Sequence, residues 1–292
     1  VHVNVIVDGL TLGSIYALVA ISFNILYRPS NVFNFAQGQA VMLGAMLGAL
    51  GLSSWGLPWI VNAVGVMAAI GALCLAIERV AVRPVLSRSA KSETWIITTL
   101  AVSLILSDVA GKIWSDEPRQ VPAPPGLSLR ERTLGSLSFS SYDIFLVIFT
   151  IVLVAIIERL YRTRTGRAVM AVAEDRDAAR LRGIDPNRLT RVSFFVGGGL
   201  AGLAGLMAAP MILASTALGP LLLIKGFAAA ALGGIGSNKG ALVAGYLVGL
   251  VESVAASLLE PGYQSTMIFA VMLAVLMVRP TGLFGVGVGR TV

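Results

Sequence analysis

The sequence contains one cysteine, Cys74, and one histidine, His2. A lone cysteine in an apolar run forms no intrachain disulfide and no cysteine metal cluster. The lone histidine is an incidental polar residue near the start of the sequence. It supplies neither a Ser-His pair nor an H-E-x-x-H zinc helix. No G-x-x-x-x-G-K-[ST] phosphate loop is present. The nearest stretch, Gly233-Gly-Ile-Gly-Ser-Asn-Lys239-Gly, lacks the glycine before Lys239 and the Ser or Thr after it, so it reads as a turn. Charge is scarce as well, with 13% of residues Asp, Glu, Lys or Arg, and no cluster of carboxylates falls in an apolar run. An enzyme or a proton-driven pump is therefore poorly supported. No catalytic residue, metal ligand or cofactor is expected.

What the chain has in abundance is apolar surface: 56% of its 292 residues are hydrophobic, and the mean hydropathy is +0.85. A soluble domain has no means of hiding that much, so the composition predicts an integral membrane protein in a lipid bilayer. The net charge of +7 then points to cytoplasmic loops, where Lys and Arg accumulate, rather than to nucleic acid. The first apolar run lacks a basic leader and a clear small-residue cleavage site, so it is expected to remain as a span.

About 20 apolar residues cross the hydrocarbon core. Candidate segments run near Asn4–Tyr27, Ala40–Leu52, Trp59–Ile77, Thr94–Trp114, Tyr142–Leu160, Asn187–Leu213, Leu221–Gly234, Ala241–Leu258 and Tyr263–Val278. The fold expected is all-α and integral to the membrane, one transmembrane domain over 1–292, with eight or nine transmembrane or half-membrane helices. Parity puts the N terminus outside and the C terminus inside. It makes 79–91 and 159–191 cytoplasmic, 115–141 periplasmic and the turn at Glu260-Pro-Gly262 external. Fifteen of the 22 Lys and Arg fall in 79–91, 159–191 and 279–292. Within 115–141, the alternating T-L-G-S-L-S-F-S run predicts a small hairpin. Gly9/Gly13, Gly44/Gly48, Gly245/Gly249 and the run Gly197 to Gly205 predict close helix packing.

Asn34, Gln37 and Gln39 stand beside a helix short for a full span. Amides opening a broken helix line a polar path in some membrane proteins; a cytoplasmic turn before an ordinary helix fits equally. An internal echo bears on this. Gln37 to Gly44, a helix, a turn, a span and V-A-V-R-P match Asn238 to Gly245, a helix, a turn, a span and L-M-V-R-P. Both R-P ends fall inside, so the repeat is parallel. It nominates Ser237 and Asn238 as counterparts of the amides on a translocation path. Glu252 is an acid inside an apolar run, either functional or capping the external end of its helix.

The densest charge is at 159–191, with nine arginines. Apolar residues interleave with them at helical spacing, predicting one amphipathic helix from Arg167 to Gly183, stopped by the glycine. Asp185-Pro186 then reads as an N-cap with proline at the first helical position. The stretch is either a solvated loop that orients the spans or a docking surface for a soluble partner.

The ordered motifs D-G-L-T-L-G-S-I-Y-A-L, N-F-A-Q-G-Q-x-x-M-L-G-A, G-R-A-V-M-A-V-A-E-D-R-D-A-A-R-L-R-G-I-D-P-N-R, L-G-G-I-G-S-x-x-G-A-L and R-P-T-G-L-F-G resemble the LivH-type permeases of branched-chain amino acid ABC importers, over nearly the whole chain. The resemblance implies a bacterial inner-membrane subunit moving branched-chain or other amino acids. It also implies four partners: a LivM-type second permease, two ATP-binding subunits and a periplasmic substrate-binding protein. Related permeases take urea, short amides or aromatic acids. Importer permeases carry an E-A-A-x-x-x-G loop that docks on the ATPase. Asp177-Ala178-Ala179-Arg-Leu181-Arg-Gly183 fills that pattern with Asp for Glu, which with Arg167 makes these the expected coupling residues. N-F-A-Q-G-Q departs from the family's usual N-F-A-H-G-[DE]. The alternative to an ATP-driven importer is a passive channel or secondary carrier for a small solute such as urea or an amide, which would need no docking element.

Overall fold

The computed structural model describes residues 4–88, 94–114, 117–134, 137–258 and 263–285. Lys91, the hairpin tip at 135–136 and the turn at 259–262 lie outside them. Twelve α-helices are described: α1 Asn4–Ser30, α2 Gln37–Ala49, α3 Trp59–Ile77, α4 Arg83–Arg88, α5 Thr94–Trp114, α6 Ser141–Tyr161, α7 Arg164–Glu174, α8 Arg176–Leu181, α9 Pro186–Ile212, α10 Leu218–Gly233, α11 Asn238–Leu258 and α12 Tyr263–Val278. Single π-turns, Leu50–Ser54 and Glu78–Val82, extend α2 and α3. Two short strands, β1 Arg132–Leu134 and β2 Leu137–Phe139, form the expected antiparallel hairpin.

Among the described residues six helices, including the α3 extension to Val85, are long and apolar enough to cross a membrane. α10 and α12 are shorter apolar helices, and α2 is a 13-residue piece. α1 and α9 are mostly buried and form the centre, whereas α5 and α6 bury few of their residues. In a bilayer, lipid is as apolar as leucine, so close backbone approach holds helices together. The sequence supplies it. Gly9 and Gly13 of α1 pack on the backbone of α11 around Gly245–Leu250. On α9, Gly198, Gly199 and Gly202 pack on α3 at Met67, Ile70 and Cys74, while Gly202 and Gly205 also meet α2 at Gly44 and Val41.

The two long polar segments lie at opposite ends of α9. Arg119 of the proline-rich segment pairs with Ala214, just after α9, through N–H···O bonds of 2.8 and 2.9 Å. β2 joins the same end, where Ser138 N donates to Asn4 Oδ1 at 2.8 Å. α7 and α8 adjoin the other end. At that end the structure corrects two expectations. The segment from 79 is not an open loop but continues helical to Arg88. The single helix expected from Arg167 to Gly183 is two, broken at Asp175, whose extended backbone and side chain cap α8 through Asp177 N and Ala178 N. A carboxylate offered to free N–H groups competes with helix continuation. Gly183 takes the left-handed φ of 80°, and Asp185 caps α9 with Pro186 at its start, both as expected.

Candidate functional site

α1 carries a polar seam that reaches most of the site. Ser22 accepts a hydrogen bond from Gln37 Nε2 at 3.0 Å, and the same nitrogen donates to Gly197 O at 3.0 Å. Gln37 Oε1 accepts from Asn34 Nδ2 at 3.3 Å, and Asn34 Oδ1 accepts from Ala36 N. Both amides are fully buried. Two residues on, Asn24 Nδ2 donates to Ser237 O at 3.0 Å and its Oδ1 accepts from Gly236 N at 2.9 Å. Ser237 Oγ in turn accepts from Gly240 N at the start of α11. Residues two apart on a helix point to nearly opposite sides. The Asn34–Gln37 pair and Ser237 therefore reach α1 from opposite faces and do not meet. Asn238 is buried at the first position of α11. Gln39 is separate from these bonds. Its side chain packs against Gly219 at the start of α10, with Oε1 buried and without a hydrogen-bond partner among the described residues.

Deeper on α1 lies a site of which Glu252 alone stands out in the sequence. Lys225 Nζ donates to Glu252 Oε1 at 2.5 Å and to the Tyr16 hydroxyl at 3.2 Å. Tyr16 donates to Glu252 Oε2 at 2.6 Å. All three are buried, between α1, α10 and α11. Glu252 is thus paired rather than capping a helix end. Lys225 is the only Lys or Arg of the Leu218–Gly233 run, and a lysine in an apolar segment is the signal that identifies it. A cleft of about 60 Å³ lined by Leu221, Ile224, Lys225, Ser265, Ile268 and Phe269 opens beside the ammonium.

The end of α1 is fastened to α6–α9. Arg28 lies 4.2 Å from the Tyr161 ring centroid, and its Nη1 is 3.4 Å from Met170 Sδ. Arg28 Nε donates to Gly236 O at 2.5 Å. Pro29 O accepts from Arg176 Nη1 at 3.3 Å and from Thr190 Oγ1 at 3.4 Å. Partial burial, reinforced by the like charge of Arg180, lowers the Arg176 pKa from its ordinary value. The apolar face of α7 is spent inside the protein, with Val169 and Val172 buried, and Ala179 of α8 is buried too, at 3% exposure. The remaining expected coupling residues, Arg167, Asp177, Ala178, Leu181 and Gly183, are exposed. Leu181 reaches 90%, the highest value of any large apolar side chain in the described residues.

Long apolar helices around a buried polar seam define a multi-pass membrane protein. The family described as branched-chain amino acid transport system / permease component matches residues 5–276. The permease protein BraD of Pseudomonas aeruginosa is 30% identical over 96% of this chain and 94% of its own length. LivH of Escherichia coli K12 is 32% identical, covering 95% and 94%. A probable LivH of Methanocaldococcus jannaschii is 31% identical, covering 94% and 89%. The first two are named high-affinity branched-chain amino acid transport system permease proteins. The chain belongs to this family of permease components and is a transport subunit.

Proposed function

We propose that the chain is the inner-membrane permease subunit of an importer for branched-chain amino acids. It would work beside a LivM-type second permease, two ATP-binding subunits and a periplasmic binding protein. The observation that carries this is identity of 30–32% to permeases of that named system over nearly the full length of both chains. In this reading 159–191 and 79–91 face the cytoplasm and 115–141 faces the periplasm. The attachment of the two long polar segments at opposite ends of α9 supports that placement.

We assign ATPase docking to the exposed surface of α7 and α8: Arg167, Asp177, Ala178 and Leu181. Ala179 and Gly183 set its shape, one by packing inward and the other by ending α8. An apolar side chain ringed by charge is suited to a groove on a soluble partner. A push on α8 would travel through Arg176 to Pro29, and through Asp185-Pro186 to α9. For the path, Gln39 is the strongest candidate because its oxygen is buried yet uncommitted. Asn34, Gln37, Ser237 and Asn238 border it, the first three as hydrogen-bonded frame residues that fix α1. A parallel repeat relating α2–α3 to α11–α12 accounts for the shared element order.

The experiment is uptake of labelled leucine into proteoliposomes holding this chain, its second permease, both ATPase subunits and the binding protein. Leucine uptake that requires ATP supports the proposal. ATP-dependent uptake of urea or an amide instead would overturn the substrate. Uptake by the permeases alone would overturn ATP coupling in favour of a passive route.

A further inference from the structure

A groove between α3 and α9 at the α7–α8 end of the molecule is lined by Leu75, Arg79, Arg188, Arg191, Val192 and Phe195, with a cavity of about 350 Å³. The two helices run antiparallel here: Gly71 packs against Phe195, Gly198 against Cys74 and Gly199 against Met67. The same polarity gradient therefore appears on both walls. Arg79 stands one turn outside Leu75, and Arg188 and Arg191 stand outside Val192 and Phe195. Charge lies at the mouth of the groove and apolar surface lies toward the middle of the spans. Val192 and Phe195 are 47% and 40% exposed, so the apolar half opens on the outer surface of the helix bundle.

The cations are available. Arg79 and Arg188 are exposed and have no ion pair among the described residues. Among the described residues Arg191 bonds to the backbone alone, from Nε to Asn187 O at 3.3 Å. Among the described residues the carboxylates beside the cluster are Glu78, buried and within electrostatic reach of Arg79, Arg83, Arg176 and Arg191, and Asp185, which accepts from Arg188 N. These two acids leave the arginines in excess.

We propose that this groove binds one anionic phospholipid, its phosphate on Arg79, Arg188 and Arg191 and the start of an acyl chain along Leu75, Val192 and Phe195. A soluble anion matches the arginines but not the apolar floor. A neutral lipid matches the floor but leaves the arginine excess unanswered. Guanidinium forks hold phosphate oxygens with directed bonds, and basic pockets at the membrane boundary take anionic headgroups.

The test uses the full-length protein in nanodiscs of phosphatidylcholine containing phosphatidylglycerol, ejected into native mass spectrometry. One retained phosphatidylglycerol per chain is expected. Its retention should fall roughly fivefold for each arginine removed in Arg79→Gln/Arg188→Gln, and should hold in Arg130→Gln/Arg132→Gln at the other end. Val192→Asp should also reduce it, because the acyl chain would meet a charge. If the double variant does not fold, Arg188→Gln alone, on an exposed side chain, makes the same comparison. Equal retention in groove and control variants would overturn the site, as would equal retention of phosphatidylcholine. Complete displacement by millimolar inorganic phosphate would overturn the lipid and leave a free-anion site.

Discussion

The Arg28 guanidinium lies 4.2 Å from the centroid of the Tyr161 ring, which ties the end of α1 to the end of α6. The same side chain reaches Met170 on α7 and the carbonyl of Gly236 before α11. One residue thus ties the end of α1 to two stretches remote in sequence, the α6–α7 corner and the turn before α11. The stacked cation contributes about 0.5–2 kcal/mol, and a charged hydrogen bond about 1.5–3 kcal/mol.

Arg28→Lys keeps the charge and loses the planar fork. The variant should fold with a modestly lowered Tm, and ATPase copurification should persist because the exposed surface of α8 is unchanged. Uptake should drop several-fold, since α7 no longer grips α1. Wild-type uptake with wild-type Tm would show that this contact transmits nothing.

Removing one member of the Lys225–Glu252 pair strands the other in the bilayer interior. Lys225→Met should therefore destabilise by about 3–5 kcal/mol. Lys225→Met/Glu252→Met should recover most of that, because both charges leave together. Thermal unfolding in one detergent, comparing single and double variants, reads the difference. A double variant as unstable as the single would mean the two charges are not a coupled pair.

Ala179 and Leu181 separate packing from docking. Ala179→Glu puts a carboxylate into a buried position on α8 and should lower stability as well as ATPase binding. Leu181→Glu alters an exposed side chain and should change stability by less than about 0.5 kcal/mol. It should nevertheless reduce ATPase copurification at least severalfold. Full copurification of Leu181→Glu would remove this surface from the docking assignment.

Gly202 and Gly65 are opposite cases. A side chain at Gly202 would collide with Ile70 of α3, and Gly44 of α2 approaches the same glycine, whereas a Cβ at Gly65 meets nothing. Gly202→Leu should abolish the monodisperse peak in size-exclusion chromatography of detergent extracts, and Gly65→Leu should preserve it. Equal peaks would contradict the close packing of α2, α3 and α9.

Sidedness is open to labelling. Cys74 is buried, so a Cys74→Ser background adds single cysteines at exposed Ala178 or Ser128. On cells with a permeabilised outer membrane, an impermeant thiol reagent should modify Ser128→Cys and spare Ala178→Cys. The reverse pattern would invert the topology.

Much of this was legible in the sequence. The bounds of α3, α5 and α12 follow from apolar length between polar breaks. The tight crossings of α1 with α11 and of α9 with its neighbours follow from glycine spacing. Gly183 and Asp185-Pro186 are local backbone chemistry, readable without tertiary context. What escaped depends on partners distant along the chain. Lys225 and Tyr16 complete the Glu252 site from 27 and 236 residues away, and periodicity carries no such information. The break at Asp175 was hidden because A-V-A-E-D-R-D-A-A continues a helical pattern. Only the choice of the Asp175 carboxylate to cap Asp177 and Ala178 ends one helix and starts another. Likewise, amphipathic spacing in α7 reported an apolar face without saying that the membrane domain itself would cover it.

The glycine seam of α9 has a mechanical side. Where side chains interlock, sliding one helix past another requires ridges to climb out of grooves and rotamers to change. On the α2 side of α9 two contacts are backbone on backbone, Gly202 with Gly44 and Gly205 with Val41, so there are few ridges to climb there. Small shear steps are a standard currency of conformational change in packed helices. That side of α9 is suited to small sliding steps against α2. A displacement applied at Pro186 would be carried toward Ala214 over about 40 Å of helix.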